Sequence, residues 1–147
     1  MKSILIIRLS SLGDIILTTP LVQELRRKYP DASIDFVVRK EYADIVRQFP
    51  WVSNTYILDT SKGAEEIQRL RNELQKNNYD HILDLHNNFR SIKLRKGIGG
   101  KLHIINKRTF KRWLLVKTKI NLLKNEPDIV GRYFEIAQEL GITDSGI

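Results

Sequence analysis

The sequence predicts an α/β domain in which a mostly parallel sheet is covered by helices on both faces, a three-layer α/β/α arrangement. Three observations predict it. Runs of β-branched and other apolar residues alternate with amphipathic stretches every 20–30 residues or so, the signature of βαβ units. The clearest runs are continuously apolar rather than alternating, as in strands buried on both faces. A length of 147 residues suits one domain, at about 100–200 residues each, and allows about 70% of the unfolded surface to be buried.

Each element has its own warrant. Lys2–Arg8 (KSILIIR) reads as a buried strand, Ser33–Val38 and Thr55–Leu58 as the next two, and His81–Leu85 as the fourth. Leu102–Ile105 is a weaker fifth. Leu12, Ile15, Ile16, Thr19, Val22, Leu25 and Tyr29 fall near i, i+3, i+4 spacing and so share one helical face. Pro20 interrupts that face. It either kinks the helix, having no N–H to offer the carbonyl of Ile16, or begins a new helix capped by Thr19. Glu65–Asn77 repeats the helical pattern through Ile67, Leu70 and Leu74, and Ile129–Leu140 does so again before Gly141. There is no internal repeat and no low-complexity segment.

Composition removes several classes of function. Apolar residues make up 41% and charged residues 29%, which is ordinary for a globule and wrong for a disordered tail, a collagen or a coiled coil. With no cysteine, disulfide scaffolds, thiol nucleophiles and cysteine-based metal sites are excluded. The apolar run Ile4–Ile7 is closed by Arg8, too short for a signal peptide or a spanning helix, so the expected compartment is the cytoplasm. Charge is unevenly spread. Between Asp84 and Glu126 lie 12 Lys and Arg and no acid, while the remainder carries 13 bases against 17 acids. A basic segment on a mildly acidic body points to an anionic partner, or else to a solvated basic surface.

Two places combine polar side chains with the carboxyl end of a predicted strand, where open parallel sheets bind ligands. The first is Arg8-Leu9-Ser10-Ser11-Leu12-Gly13-Asp14. Ser10 and Ser11 supply hydroxyls, and Gly13 would permit a tight turn and close ligand approach. Asp14 is either a carboxylate held at the positive end of a helix or simply that helix's N-cap. The second is Asp84-Leu85-His86-Asn87-Asn88-Phe89-Arg90-Ser91. By strand parity Asp84 and His86 share a face, and a polar cluster ending in Arg suits a sugar or phosphate, although a plain capped loop reads the same way. No third ligand at chelating spacing joins the Asp–His pair, so no metal is expected. Neither a dinucleotide fingerprint nor a P-loop occurs, and Gly97-Ile98-Gly99-Gly100 has neither the spacing nor the preceding strand.

The stretch IRLSSLGDIILTTPLVQELRRKYPDASIDFVV resembles the opening of the ADP-heptose:lipopolysaccharide heptosyltransferases, glycosyltransferase family 9. YDHILDLHNNFRS resembles the family's later segment of Tyr-Asp, Asp-Leu-Gln and a basic residue before Ser. EPDIVGRYFEIAQELGI resembles the helix closing its first domain. The resemblance implies a GT-B enzyme in which two Rossmann-like domains face a cleft. Residues 1–147 would be the N-terminal, acceptor-side domain, and the nucleotide-sugar domain would lie outside this chain. It implies that Asp14 is the base of an inverting transfer of heptose from ADP-heptose to a Kdo-lipid A type acceptor, with Ser10, Ser11, Gly13, His86, Asn87 and Arg90 on the acceptor side. No metal or other cofactor is implied, because groups of the donor domain would stabilise the leaving diphosphate. Such an acceptor is an anionic glycolipid at the cytoplasmic face of the inner membrane, so the basic segment would meet that surface peripherally. Leu17 and His86 depart from the family, where His and Gln are frequent at these places, and leave the acceptor's identity open.

Phe110, Trp113, Leu114 and Leu115 interleave with Lys111, Arg112 and Lys117, as in an interfacial helix or a buried amphipathic one. The rival readings are a basic α/β module that binds nucleic acid and a non-catalytic scaffold. No helix-turn-helix, RNP or zinc spacing supports the former, and no nucleic-acid partner is expected.

Overall fold

In the computed structural model, residues 2–104 are described. They form five parallel strands and five α-helices, besides two short 3-10 turns: β1 Ser3–Ile7, α1 Leu12–Ile16, α2 Thr19–Lys28, β2 Ser33–Arg39, α3 Ala43–Arg47, β3 Asn54–Leu58, α4 Ala64–Gln75, β4 His81–Asp84, α5 Phe89–Arg95 and β5 Lys101–Ile104. The sheet order is β3-β2-β1-β4-β5. Every neighbouring pair is parallel, with Ile7 opposite Val37 on one side of β1 and Asp84 on the other. The expected helix Ile129–Leu140, the aromatic-basic stretch around Trp113 and the basic residues from Lys107 onward lie outside the described residues.

Strand periodicity divides the core into two layers. Ile4 and Ile6 of β1 join Ile34, Phe36 and Val38 of β2 and Leu83 of β4 on one face, against Ile15 of α1, Leu21, Val22 and Leu25 of α2, and Val46 of α3. Leu5 and Ile7, with Val37, Leu58 and Ile82, face the other way onto Leu70 and Leu74 of α4 and Leu94 of α5. The three-layer arrangement expected from the sequence is therefore present. Ile4 to Ile7 are wholly buried, and each such side chain contributes about 1.5–3 kcal/mol of transfer free energy.

Several details differ from the sequence expectation. The first helical stretch is two helices, so Pro20 begins a new one rather than kinking an old one. It lies at the second position of α2, where its missing N–H costs nothing. The cap position is Thr18 rather than Thr19, and its hydroxyl turns back to donate to the carbonyl of Ile15 at 2.6 Å. Helix α3 was not foreseen, because five residues are too few to display a helical period. Gly100, in a run that carries no phosphate-binding pattern, has φ +103° and a Cβ there would collide with the Tyr79 carbonyl, so the entry into β5 requires glycine.

Two polar clusters lie inside this framework. Asp35 of β2 accepts hydrogen bonds from the Tyr79 hydroxyl at 2.6 Å and Asn54 Nδ2 at 2.9 Å, tying β2 to β3 and to the approach of β4. Burial and then the Asp35 carboxylate push the Tyr79 phenol well above its usual range. On the opposite face His81 Nδ1 lies 3.2 Å from His103 Nε2, and both rings are buried. Burial, with His103 and Lys2 adding to it against Asp80, holds the His81 imidazole below its ordinary pKa of 6.5.

That direction fixes a sign. The unfolded chain binds a proton at His81 more readily than the folded one, so folding stability falls as pH drops through about 6.5 and levels off below the folded-state value. The melting temperature should fall between about pH 7.5 and 5.5, and in the variant His81→Gln it should fall less. Equal slopes in thermal melts of the two proteins would remove His81 as the cause.

Candidate functional site

The strand order reverses direction at β1, so the loops leaving β1 and β4 diverge and open a crevice at the carboxyl edge of the sheet. Both segments singled out in the sequence lie there. The sheet fixes their separation, since Leu85 N donates to Ile7 O at 3.0 Å and the β1–β4 ladder continues to the base of both loops.

In the β1–α1 loop, Ser11 occupies the N-cap of α1 and Asp14 the third helical position. Asp14 is therefore not the N-cap. Its Oδ2 accepts from Arg8 Nη2 at 2.7 Å, Ser11 Oγ at 2.9 Å and Ser11 N at 3.2 Å. Among the described residues Oδ1 accepts no hydrogen bond, and the side chain is 26% exposed. Partial burial works to raise the pKa of this carboxyl. The Ser11 backbone N–H, the Ser11 hydroxyl and the Arg8 cation together outweigh it, and the net shift is downward from 3.8. Asp14 is thus a carboxylate at neutral pH, with one oxygen committed and the other open. The helix dipole expected to favour this form is minor, because α1 has only five residues.

Gly13 also differs from expectation. It lies within α1, and a Cβ built on it meets nothing within 4 Å. The turn does not require glycine. A side chain at this position would enter open space. Ser11 is exposed but its hydroxyl is bound to Asp14, whereas the half-buried Ser10 has a hydroxyl bonded to no group among the described residues.

The β4–α5 loop is organised by Asp84, which is fully buried. Its Oδ1 accepts from the backbone N–H groups of His86 at 3.0 Å and Asn87 at 2.8 Å, and its Oδ2 binds Arg95 Nη1 at 2.8 Å. The strand ends at Asp84, so the parity that placed Asp84 and His86 on one face does not extend to His86. Asp84 shapes the loop from inside instead of facing a ligand. Asn87 has φ +50°, a conformation tolerated by Asn, and Asn88 caps α5 by accepting from Ser91 N at 2.8 Å. His86 and Asn87 are half-buried at the crevice.

Arg90 is placed differently. Its guanidinium stacks on the exposed Phe89 ring at 5.0 Å, and Lys93 lies over the same ring at 5.8 Å. With Thr60, Gly63, Ala64 and Ile67 these side chains line a cavity of about 140 Å³ between the starts of α4 and α5. The feature missed in the sequence is Arg8, whose Nη1 donates to the Leu85 carbonyl at 2.8 Å while Nη2 holds Asp14. Among the described residues no group of three or more His, Cys, Asp or Glu could hold a metal ion, and no helix is long and apolar enough to cross a membrane.

No protein-family model matches the chain. Individual relatives do. The lipopolysaccharide heptosyltransferase 3 of Escherichia coli K12 is 27% identical over 90% of the chain and 40% of its own length. The lipopolysaccharide core heptosyltransferase OpsX of Haemophilus influenzae is 26% identical over 96% and 41%. A lipopolysaccharide heptosyltransferase 1 from Campylobacter coli reaches 37% over 56% of the chain and 24% of that protein. Among solved structures, the E. coli heptosyltransferase WaaC with ADP-2-deoxy-2-fluoro heptose superposes with a TM-score of 0.69 at 21% identity, over 99% of the chain and 50% of WaaC. A family 9 glycosyltransferase from Veillonella parvula gives 0.62 at 20% identity, over 81% of the chain and 41% of its own. The resemblance to family 9 heptosyltransferases is thereby shown in both sequence and fold, and the chain spans about two fifths of the length of the curated relatives it matches over most of its residues.

Asp84→Ala leaves Arg95, whose side chain is 12% exposed, without its carboxylate and the β4–α5 loop without its acceptor. A loss of about 3–5 kcal/mol is expected for breaking such a pair from one side, measurable by urea denaturation. A loss below about 1 kcal/mol would mean that Asp84 does not organise the loop.

Proposed function

We propose that this chain is the acceptor-side domain of an inverting glycosyltransferase that moves heptose from ADP-heptose to the inner core of lipopolysaccharide. The single observation that carries this reading is the Asp14 carboxylate at the switch point, ionised, held through Oδ2 and open through Oδ1. Relatives named as lipopolysaccharide heptosyltransferases support the sugar and the acceptor class.

The chemistry follows from that arrangement. An acceptor hydroxyl lies against Asp14 Oδ1. As its oxygen forms a bond to the anomeric carbon, the proton passes to Oδ1 and the bond from that carbon to the diphosphate breaks, its electron pair leaving with ADP. Attack and departure occur on opposite faces, so configuration inverts. The hydroxyl becomes acidic only as its oxygen bonds to carbon, so even a carboxylate of lowered pKa can accept the proton late in the step. Rigidity compensates for modest basicity, because Oδ2 is fixed by three donors and the approach to Oδ1 is set in advance.

The remaining residues have supporting parts. Ser10, His86 and Asn87 border the crevice and would hydrogen-bond acceptor hydroxyls. Gly13 leaves room for the acceptor beside Asp14. Arg90, with Lys93, offers positive charge on the same edge of the sheet for an acidic group of the acceptor. Groups that hold the nucleotide belong to the donor domain of such an enzyme, and contact of the acid-free segment with an anionic membrane surface is part of the same proposal.

Two experiments in full-length enzyme test the assignment. Asp14→Asn keeps an oxygen able to accept from Arg8 and Ser11 but removes the proton acceptor. Thermal melting should be nearly unchanged while kcat falls about 10²–10⁴-fold. Turnover within a few-fold of the parent would exclude Asp14 as the base. Gly13→Ala should leave the fold intact or slightly firmer, since Ala is favoured over Gly in a helix by about 1 kcal/mol. Filling the space beside Asp14 should nonetheless raise the acceptor KM, and an unaltered KM would remove Gly13 from the acceptor site.

A further inference from the structure

Arg8 is the side chain that joins the two loops of the crevice. Its backbone belongs to the sheet although it follows the last residue of β1. Arg8 N donates to Val37 O at 3.2 Å, and Arg39 N donates to Leu9 O at 3.1 Å, so the β1–β2 ladder continues beyond the strand. The side chain is 11% exposed. One arm of its guanidinium reaches the Leu85 carbonyl at 2.8 Å and the other reaches Asp14 Oδ2 at 2.7 Å. The Leu85 carbonyl is itself anchored, because the residue's side chain is buried and its N–H is bound to Ile7 O.

We infer that Arg8 is the positioning residue for the Asp14 base, using its planar fork to lock Oδ2 against the ends of β1 and β4 so that Oδ1 alone meets the acceptor hydroxyl. This rests on the reading of Asp14 as base and assigns how that base is held. A guanidinium suits the task because its two arms lie in one plane at fixed separation, whereas an ammonium is a point charge on a flexible stem. Without the fork, Asp14 keeps only the bonds to Ser11, both local to its own loop, and either oxygen can turn toward them. The carboxylate then has two arrangements where the parent has one. Loss of alignment by about 1 Å can cost around 10²-fold in rate.

The two properties that Arg8 supplies, charge and geometry, separate in different variants. Arg8→Met removes both. Arg8→Lys keeps a cation near Oδ2 but cannot hold both partners in one plane. The Asp14 carboxyl is followed by carbon-13 NMR titration of this chain, and kcat and acceptor KM are measured in the full-length enzyme. In Arg8→Met the carboxyl should titrate at higher pH than in the parent, since a cation that favours the ionised form is gone, and the acid limb of kcat should move with it. The value of kcat should fall up to about 10²-fold while the acceptor KM changes little. Arg8→Lys should restore the titration toward that of the parent and leave kcat depressed.

A folded Arg8→Met protein with an unshifted Asp14 titration overturns the inference, as does an Arg8→Lys enzyme with parental kcat. A merely structural role would lower the melting temperature without moving the acid limb. Measuring Asp14→Asn alongside keeps the two readings apart. If that variant retains turnover, the base assignment fails by itself and the NMR titration still judges Arg8. If it is inactive while Arg8→Met turns over normally, only the inference about Arg8 fails.

Discussion

The structure depends on the complete burial of β1. Paired on both edges and covered on both faces, Ile4–Ile7 exposes no side chain to water. Buried backbone groups need partners, so β1 requires β2 and β4 in register on either side, and its alternating side chains require a helical layer above and below. Once these demands are met, the neighbours of β1 and the position of its carboxyl end are no longer free. The crevice follows from that constraint, because the chain must leave β1 between two connections that run to opposite sides of the sheet.

The polar residues at the crevice divide into those that build it and those it presents. Asp84 and Arg95 form a buried pair whose role is to shape the β4–α5 loop, through the amides of His86 and Asn87. Asn88 and Ser91 cap the helix that follows. Ser11 uses both its amide and its hydroxyl on Asp14. What the hydrogen bonds of the described residues leave uncommitted is small: Oδ1 of Asp14, the Ser10 hydroxyl and the Asn87 side chain, with open space at Gly13. For the proposed role of Asp14, a carboxylate of lowered pKa gains most from being held in one arrangement by several donors.

Charge on the carboxyl edge follows a similar division. Arg95, counted in the sequence as part of a basic run, is consumed by Asp84. Arg90 and Lys93, three residues apart on α5, share the exposed Phe89 ring instead of an acid. The acid-free segment thus contains structural cations as well as presented ones, and net charge alone could not separate them.

Hydrophobic period determined most of the architecture without any structure. The five strands lie within a residue or two of where the apolar runs placed them, and α2 and α4 lie where i, i+3, i+4 spacing put them. Apolar burial is the main force driving folding, and its period is written locally in the chain. Short elements were illegible for the same reason, as α3 and the separation of α1 from α2 show. Motif and turn chemistry likewise picked out both loops of the crevice. Tertiary structure alone decided the roles inside them: that Asp84 looks inward, that Gly13 is helical and leaves space, and that Asp14 is held by Arg8. Within each loop the partners are local, as Arg8 is to Asp14 and Arg95 to Asp84, but the contact that ties one loop to the other is made by strand order. The carbonyl that anchors Arg8 lies 77 residues along the chain, a distance that no local pattern encodes and that the pairing of β1 with β4 reduces to one hydrogen bond.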